Sequence, residues 1–569
     1  KPSPRCSGGL IMGFIKTVEA NCRDCYKCVR SCPVKAIRVI GNHAEIDDDR
    51  CVLCGRCVPI CPQNARSVYN QIELVQKMLN DSSGIIISLA PCFPAALENY
   101  EAKQLVSALK KAGVKRVIET AEAADALLKN NHKVVAEKPV ISSYCPAVVD
   151  LIEKYYPHLK QHLAPLASPL VAHGRYLRRV YPDDHLVFIL PCDAKKAEAL
   201  SEPEIDAVLT FEELKTILDS QLIKSKADDP IFPEGQSSFY GRTVGLSGSL
   251  KAAMGYPDHL DPRSEAISGF EECIEFLENM QAGRIGKEIE FVELLLCRGG
   301  CLNGSGLTNA LTHEEKREKI LAYVNSRESA DNIIDLIDTD IQKEFAGKPV
   351  ITPKPTEKEI REILASLGKR SKSDELDCGS CGYDTCREKA IAVYRGFAEL
   401  EMCIPYMRAR AESMANVIIQ ATPNGIIVVD GDMKIITINP AAERMFQCRE
   451  EALKGREVGA LLTADIFEDV LEQKRLIVDN VEYPSYGLKV RQFVFYVPKS
   501  QVVIAIFADI TEQSRQKDQL SELRKETLER AQEVINKQMR VAQEIASLLG
   551  ETTAETKVIL DQLMRIIRG

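Results

Sequence analysis

The segment LLLCRGGCLNGSG, Leu294–Gly306, joins an apolar run to two cysteines, Cys297 and Cys301, with three residues between them. Zinc sites and four-iron ferredoxin segments normally space their cysteines two residues apart, so this pair needs further ligands from elsewhere in the chain. Two other apolar runs, KPVISSYCP and HLVFILPCDA, also end near a cysteine, Cys145 and Cys192 respectively. Ligands gather beyond the carboxyl ends of strands in α/β folds. We therefore expect these four cysteines to meet at strand ends.

Residues 85–324 alternate short apolar runs with amphipathic stretches. GIIISLAP, VKRVIET and EIEFVELLLC are typical of buried strands, whereas YEAKQLVSALKKAG and TFEELKTILDSQL are typical of helices. This alternation predicts an α/β domain.

The composition is that of an ordinary globular protein, with 569 residues of which 45% are hydrophobic and 27% charged. A net charge of −9 and a pI of about 5.7 argue against nucleic acid as a partner. The longest apolar runs are far shorter than the roughly 20 residues that a membrane span needs, and no signal peptide is recognisable. The chain begins at Lys1, and we expect the natural start at Met12. We predict a cytoplasmic protein.

The twenty cysteines are grouped rather than scattered. A cytoplasmic chain keeps its thiols reduced, so the groups indicate metal centres rather than disulfides.

Two runs near the start, CRDCYKCVRSCP and CVLCGRCVPICP, share the spacing C-x2-C-x2-C-x3-C-P. This is the bacterial two-cluster ferredoxin pattern, in which the fourth cysteine of each run binds the cluster of the other run. A pair of zinc sites is the alternative, but the duplicated Cys-Pro ending favours iron and sulfur. The pattern predicts one 4Fe–4S cluster on Cys22, Cys25, Cys28 and Cys61, and a second on Cys51, Cys54, Cys57 and Cys32.

Further along, DCGSCGYDTCREKA and a later cysteine give the spacing C-x2-C-x4-C-x16-C on Cys378, Cys381, Cys386 and Cys403. This resembles the small 4Fe–4S domain attached to other redox proteins, and a zinc site is the alternative. From about Met414, PNGIIVVDGDMKIITINPAAERMF resembles the start of a PAS domain, with RQFVFYVP and SQVVIAIFADITEQ as its later strands. No PAS cofactor ligand is evident, and we expect Cys448 to be packed in its core.

The middle region resembles the H-cluster domain of FeFe-hydrogenases. The family's three signature segments are matched by SSYCPA, LPCDAKKAE and VELLLCRGGCLNGSG, and the resemblance covers about residues 75–325. It implies that Cys145, Cys192, Cys297 and Cys301 bind a 4Fe–4S cubane. It also implies that Cys301 bridges this cubane to a two-iron unit carrying CO, cyanide and a dithiolate.

The resemblance assigns further residues to this centre. Lys195 matches the lysine that faces a cyanide ligand, as a charge-assisted donor, and the neighbouring Lys196 is expected to be solvated. Cys92 stands where the family has a small residue. The residues implied to line the cofactor are Ala90, Pro91, Leu190, which replaces a methionine, Pro191 and Gly300.

The chain departs from catalytic members at Tyr144, where they have a proton-transferring cysteine. A phenol is a weaker acid than a thiol, and a lost acid–base group slows turnover by roughly 10²–10⁴-fold. Glu198 matches a relay glutamate, but the other relay acids are missing. Cys92 is a candidate substitute donor, and simple packing is its alternative. We therefore predict an assembled but slow centre.

Residues 513–549 carry apolar residues at seven-residue steps, which favours a two-chain helix, with a single amphipathic helix as the alternative. We predict a multidomain α/β protein: a two-cluster ferredoxin-like domain (12–75), an α/β H-cluster domain (76–345), a linker with a small 4Fe–4S domain (346–410), an α+β PAS domain (411–512) and a C-terminal helix (513–569).

The function implied is that of a sensory FeFe-hydrogenase acting on H2 and protons, with three accessory 4Fe–4S clusters. The expected partners are a second copy, through the PAS domain and the C-terminal helix, and a ferredoxin or signalling protein. An ordinary ferredoxin-linked hydrogenase with a dimerising tail is one alternative. A non-catalytic iron–sulfur scaffold without the two-iron unit is the other.

Overall fold

The computed structural model describes residues 13–81, 84–98, 100–131, 139–220, 231–258, 260–286, 288–307, 309–328, 334–549, 558–559 and 561–565. The chain forms two compact units, Lys1–Met407 and Arg408–Gly569. Among the described residues, no helix is both long and apolar enough to cross a bilayer.

The first unit begins with a small antiparallel module. Its elements are β1 (Ile15–Thr17), α1 (Lys27–Ser31), β2 (Ile37–Ile40), β3 (His43–Ile46) and β4 (Arg66–Val68). β1 pairs with β4, and β2 pairs with β3. The β2–β3 turn places Gly41 and Asn42 at φ of 58° and 63°, which is the conformation that a two-residue hairpin prefers.

The two cysteine runs of this module repeat in conformation as well as in spacing. Residues at equivalent positions, 29 apart in the numbering, both adopt positive φ: Asp24 (48°) and Leu53 (53°), and Tyr26 (52°) and Gly55 (73°). A left-handed leucine is sterically unfavourable, so the cysteine loops impose this backbone on their sequence.

The second part of this unit is an α/β domain. Its strands are β5 (Ile85–Leu89), β6 (Val114–Glu119), β7 (Val140–Ile141), β8 (His185–Leu190), β9 (Ala207–Thr210), β10 (Ser264–Ser268) and β11 (Phe291–Leu295). Its helices are α2 (Ile72–Leu79), α3 (Ala102–Lys111), α4 (Ala121–Asn131), α5 (Pro146–Tyr155), α6 (Pro169–Val180), α7 (Asp193–Leu200), α8 (Phe211–Ser220), α9 (Phe239–Thr243), α10 (Ser249–Ala253), α11 (Phe270–Gln281), α12 (His313–Asn325) and α13 (Asp338–Ile341).

The strands of this domain form two parallel sheets, one in the order β6-β5-β8-β9 and one in the order β10-β11-β7. Every residue of β5 and of β11 is buried, as expected for parallel strands covered on both faces. The predicted strands and helices form. The three strands that precede cysteines lie in two different sheets, because β7 pairs with β11 and β8 pairs with β5 and β9.

A small domain follows, with α14 (Glu357–Ser366) and α15 (Cys386–Tyr394). It packs on the N-terminal module: the Val39 amide donates to the Phe397 carbonyl at 3.1 Å, and the Lys35 ammonium donates to the Gly382 carbonyl at 3.0 Å. The Arg50 guanidinium lies 4.6 Å from the centre of the Phe397 ring.

The remaining elements are α16 (Ile404–Ala421), β12 (Gly425–Val429), β13 (Ile435–Ile438), α17 (Pro440–Met445), α18 (Glu450–Leu453), α19 (Asp465–Gln473), β14 (Ile477–Tyr483), β15 (Leu488–Val497), β16 (Val502–Asp509) and α20 (Thr511–Leu549). The strands form one antiparallel sheet in the order β13-β12-β16-β15-β14. The Asn439 side chain accepts from the Ala442 amide at 2.9 Å and so caps α17. Cys448 packs against the core of this sheet, as predicted.

Candidate metal centres

Each of the four cysteines of the α/β domain stands just beyond a strand. Cys145 is the residue before α5, a short loop after β7. Cys192 is the residue before α7, two residues after β8. Cys297 follows β11, and Cys301 begins a short 3-10 turn. The chain thus brings its cysteines to the edge at which α/β folds bind ligands.

The four sulfurs share one site. Burial raises the pKa of the Cys297 thiol, and the negative charges of Cys192, Cys145 and Cys301 raise it further. Burial likewise raises the pKa of Cys192, with Cys301 and Cys145 adding to the rise. Coulomb interactions of this kind need short distances, so the structure brings together residues from three distant segments.

The described cysteine sulfurs are not close enough together for three of them to bind one zinc ion. Four thiolates on one zinc, at about 2.3 Å each, lie roughly 3.8 Å apart. Among the described residues, no three cysteine sulfurs lie within 4.8 Å of one another. A multi-iron cluster separates its cysteine sulfurs further, because each thiolate binds a different iron. This geometry fits iron–sulfur clusters, and none of the described cysteines is in a disulfide.

The loop between Cys297 and Gly306 packs its backbone directly against its neighbours. Gly300 has a φ of 106°, and a Cβ there would lie 2.2 Å from the Gly245 carbonyl oxygen. A Cβ on Gly304 would lie 2.3 Å from the carbonyl oxygen of Pro191, which also accepts from the Gly306 amide at 2.9 Å. Only glycine permits these approaches.

Lys195 lies among these thiols. Burial lowers its pKa, but the charges of Cys301 and Cys192 outweigh burial, and the net shift is upward. Its ammonium donates to the Tyr144 carbonyl at 3.0 Å. A cation at this point compensates the negative charge of a thiolate-bound cluster.

The expectation that Lys196 is solvated is wrong. Its side chain is completely buried, donates to the Tyr69 carbonyl at 2.6 Å and forms an ion pair with Glu213. Consecutive helical residues point about 100° apart, so Lys195 and Lys196 meet different surroundings.

Of the other residues assigned by resemblance, some lie close to the four-thiol site and others pack in the hydrophobic core. The buried Cys92 is close enough to Cys301 and Cys192 for their charges to raise its pKa, although burial contributes most. Ala90 belongs to the same buried cluster as Cys92, and Pro91 lies between them. Leu190, however, packs in a separate core with Phe188 and Leu170.

Tyr144 presents its backbone to Lys195, and its ring is buried in an apolar cluster with Leu127, Val171 and Met254. Glu198 accepts from the Ser168 hydroxyl at 2.8 Å and from the Lys343 ammonium at 2.7 Å. That carboxylate is therefore held in an ion pair.

In the N-terminal module, the four cysteines predicted to share one cluster influence one another's pKa. Burial raises the pKa of Cys51 and of Cys54 to about 12, and Cys32 contributes to both shifts. Burial also raises the pKa of Cys57, and the charges of Cys51, Cys54 and Cys32 add to the rise. These are the four cysteines predicted to share a cluster.

Several N–H groups of this module point at sulfur. The amides of Ala36, Leu53 and Ala65 donate to the sulfurs of Cys32, Cys51 and Cys61 at 3.3, 3.4 and 3.3 Å respectively. The Arg66 guanidinium donates to the buried Cys28 sulfur at 3.0 Å. N–H donors to sulfur stabilise thiolates and tune the potential of iron–sulfur clusters, so this environment fits the clusters that the spacing predicts.

The four cysteines of the small domain line one cavity: Cys378, Cys381, Cys386 and Cys403. The buried Lys389 lines it too and donates to the Glu399 carbonyl. This cavity fits the third predicted cluster.

The candidate sites are arranged in series. Cys381 packs in one cluster with Cys22, Cys28 and Cys32 of the N-terminal module. Cys54 lines a cavity together with Cys297 of the α/β domain. The charge of Cys54 also raises the pKa of Cys297, although burial and the other three thiols of the site contribute more. Neighbouring cysteine groups therefore lead from the small domain to the four-thiol site.

Sequence reasoning missed three charged residues at these sites: Arg66, Lys389 and Glu293. Glu293 is buried, accepts from the amides of Gly248 and Lys251 at 3.0 and 2.8 Å, and has a pKa raised to about 7 by burial. Its sequence signal was a lone acid within the apolar run FVELLL.

Comparison with known proteins assigns families to these regions. Residues 83–305 match the family "Iron only hydrogenase large subunit, C-terminal domain", and residues 21–65 match the "4Fe-4S dicluster domain". Residues 374–405 match an Fe-S cluster family, and residues 414–482 match the "PAS domain". The chain therefore carries an iron-only hydrogenase large-subunit domain together with iron–sulfur domains and a PAS domain.

Individual relatives share only a small part of their sequence with this chain. Iron hydrogenase 1 of Clostridium pasteurianum is 26% identical over 368 residues, which are 46% of this chain and 64% of that protein. Nuclear prelamin A recognition factor of Xenopus laevis is 26% identical over 363 residues, 49% of this chain and 78% of that protein. A solved FeFe-hydrogenase structure, concerned with oxygen inactivation of the H cluster, aligns at 17% identity with a TM-score of 0.36, over 44% of this chain and 88% of its own. The chain thus spans less than two thirds of the length of the first relative.

Proposed function

We propose that the protein is an H2-sensing FeFe-hydrogenase with slow turnover, which passes electrons through three accessory 4Fe–4S clusters to a PAS signalling module. The observation that carries this proposal is the series of cysteine sites. It runs from the four-thiol site, through the N-terminal module, to the small domain. Its last member, Cys403, directly precedes the helix that leads to the PAS domain.

The cofactors have clear candidate ligands. Cys145, Cys192, Cys297 and Cys301 would hold the H-cluster, which consists of a 4Fe–4S cubane and a two-iron unit with CO, cyanide and a dithiolate. When bound, it supplies the reversible conversion of H2 into two protons and two electrons. Lys195 would offer its ammonium to an anionic ligand as a charge-assisted donor, and the buried walls around Cys92 exclude water.

The packing of Tyr144 supports slow turnover. Its ring packs in an apolar cluster, and a phenol is a weaker acid than the thiol that catalytic relatives carry at this position. The Glu198 carboxylate accepts hydrogen bonds from the Ser168 hydroxyl and the Lys343 ammonium. A site that exchanges protons slowly suits a sensor better than a bulk catalyst.

The partners belong to the same proposal. H2 and protons are the reactants, and a ferredoxin or a signalling protein would exchange electrons or signal. The PAS domain and α20 would form a homodimer, since α20 exposes apolar residues such as Leu520, Val534 and Val541 at 53%, 59% and 44%. Fast turnover despite Tyr144 would favour an ordinary ferredoxin-linked hydrogenase.

A non-catalytic iron–sulfur protein without the two-iron unit is the second candidate. It is favoured by the core position of the Tyr144 ring. It also agrees with the match to the nuclear prelamin A recognition factor, whose name does not describe a hydrogenase. The half-buried Lys195 and the thiol of Cys301 favour the first candidate.

Infrared spectroscopy decides between the two. We expect protein matured with the enzymes that install the two-iron unit to show bands of iron-bound CO and cyanide, and Cys301→Ser to lack them. A matured wild-type protein with all its cubanes but without these bands would establish the non-catalytic candidate.

A further inference from the structure

Helix α16 exposes a continuous apolar stripe. Eighteen residues long, it has no buried side chain, although it contains large apolar residues. Ile404, Met414 and Ile418 are 55%, 65% and 64% exposed. The residues of this stripe, which we call the α16 stripe, are Ile404, Met407, Ala411, Met414, Ile418 and Ala421.

The spacing of the α16 stripe is that of a two-chain coiled coil. Its members follow one another at steps of 3, 4, 3, 4 and 3 residues, which is the a/d repeat of a heptad. A repeat of 3.5 residues keeps its side chains facing one partner helix through a left-handed supercoil. A helix that packed on its own domain would bury this stripe, and here the stripe is exposed.

One residue of α16 outside the stripe contacts the PAS domain. The Asn439 side chain of the PAS domain donates to the Ile419 carbonyl at 3.0 Å, and Ile419 lies next to the stripe but outside it. The attachment of the helix to its own domain therefore leaves the stripe free for another molecule.

The charges beside the stripe agree with a second copy in parallel. Heptad positions e and g of α16 carry two charges, Arg408 and Arg410. In a parallel, in-register pair, the g position of 410 faces Ala415 of the other chain, and the g position that would face 408 falls on Cys403, which lies before the helix. No like charges are opposed, and Arg408 is satisfied within its own helix by Glu412 at 2.8 Å.

We propose that α16 pairs in parallel with α16 of a second copy of this chain, through the α16 stripe. A twofold pair is self-complementary, so one stripe suffices for both partners. Both Cys403 residues then lie at the same end of the coil. This pairing does not depend on the hydrogen chemistry proposed above.

The proposal is tested on the full, cluster-loaded chain by placing the photo-crosslinking amino acid p-benzoylphenylalanine in the stripe at Met414. The matched control carries it at Asn416, on the outer face of the same helix. We expect anaerobic irradiation to give a product of twice the chain mass from the first variant only, linked to residues of α16 in the other chain. Crosslinks within one chain, or equal dimer yield at both positions, would overturn it.

Sedimentation of a double variant provides a second readout. Met414→Glu with Ile418→Glu places charges in the stripe, and we expect the dissociation constant of the dimer to rise at least tenfold, equivalent to about 1.4 kcal/mol. Ser413→Glu with Asn416→Glu is the control outside the stripe, and no change is expected there. A wild-type chain that stays monomeric, or equal effects of the two pairs, would overturn the proposal. Infrared bands of the hydrogenase site remain unaffected in either case.

Discussion

The ammonium of Lys195 donates a hydrogen bond to the backbone carbonyl of Tyr144 at 3.0 Å. This contact joins α7, which follows Cys192, to the loop that carries Cys145, so one interaction fixes two of the three cysteine segments. It uses the backbone of Tyr144 and leaves the phenol ring in the apolar core. Position 144 therefore contacts the site through its backbone carbonyl.

Replacing this ring by a thiol should accelerate turnover. In matured Tyr144→Cys protein we expect H2 oxidation to rise by about 10²-fold, the scale on which a positioned acid or base acts. The lost ring also costs on the order of 3 kcal/mol of stability, so iron content is measured beside the rate. Tyr144→Phe is the control: it keeps the packing and adds no acid, and we expect no change. An unchanged rate in a fully loaded Tyr144→Cys protein would show that a missing relay is not the limiting defect.

A methyl group on Gly300 should prevent the four-thiol site from forming. Alanine is strained at a φ of 106°, and its Cβ would meet the Gly245 carbonyl oxygen. We expect Gly300→Ala to lose the iron of one cubane while the other clusters remain, as measured by iron analysis and electron paramagnetic resonance. Gly286→Ala, with ordinary φ and nothing within 4 Å of a Cβ, should keep the full content. Full iron in both variants would contradict the close packing of this loop.

We expect Arg66 to raise the reduction potential of the cluster predicted to bind at Cys28. Its guanidinium donates to the Cys28 sulfur at 3.0 Å, and a hydrogen bond to a charged group contributes about 2 kcal/mol. That contribution favours the thiolate, and the added positive charge favours the reduced, more negative cluster. We expect Arg66→Met to shift the midpoint potential downward in a redox titration. Arg38→Met removes a surface arginine of the same module, which pairs with Glu45, and should leave every potential in place.

The cysteine ligand sets could be predicted because their spacing is a property of the covalent chain. A run such as Cys51-x2-Cys54-x2-Cys57 must fold tightly for three thiolates to reach one centre, and this constraint is visible in the sequence. The strands before Cys145, Cys192 and Cys297 were visible as apolar runs. The sorting of those strands into two sheets was not, since β7 has only two residues and its pairing with β11 depends on tertiary contacts.

The charged residues next to the cysteine sites could not be predicted from local sequence patterns. Arg66 reaches Cys28 across 38 positions, and Lys196 finds Tyr69 across 127. No spacing rule connects residues so far apart in the sequence. For this reason the prediction that Lys196 is exposed to solvent was wrong. The ring of Tyr144 is a similar case, because the core that surrounds it comes from α4, α6 and α10.

A buried carboxylate in the α/β domain should make stability depend on pH. Glu122 lies on α4, and burial raises its pKa from 4.5 to about 7, with Glu119 and Asp125 adding to the rise. The facing cation is Arg242, which pairs with Glu119 at 2.8 Å. The neighbouring His173 has a pKa lowered to about 3 by burial, so it stays neutral and offers no compensating charge at neutral pH.

Between pH 4.5 and 7, therefore, folded Glu122 keeps a proton that the unfolded chain releases, and stability falls as pH rises through this window. Above pH 7 the cost is complete and amounts to at most about 3 kcal/mol. Glu122→Gln cannot ionise and still accepts from the Gln236 amide, which donates to Glu122 at 2.8 Å. We expect its melting temperature to exceed that of the wild type at pH 8 and to equal it near pH 4.5. Glu318→Gln, on the exposed face of α12, is the control and should have the melting temperature of the wild type at both pH values. If Glu122→Gln raised the melting temperature equally at both pH values, the effect would come from packing and not from charge.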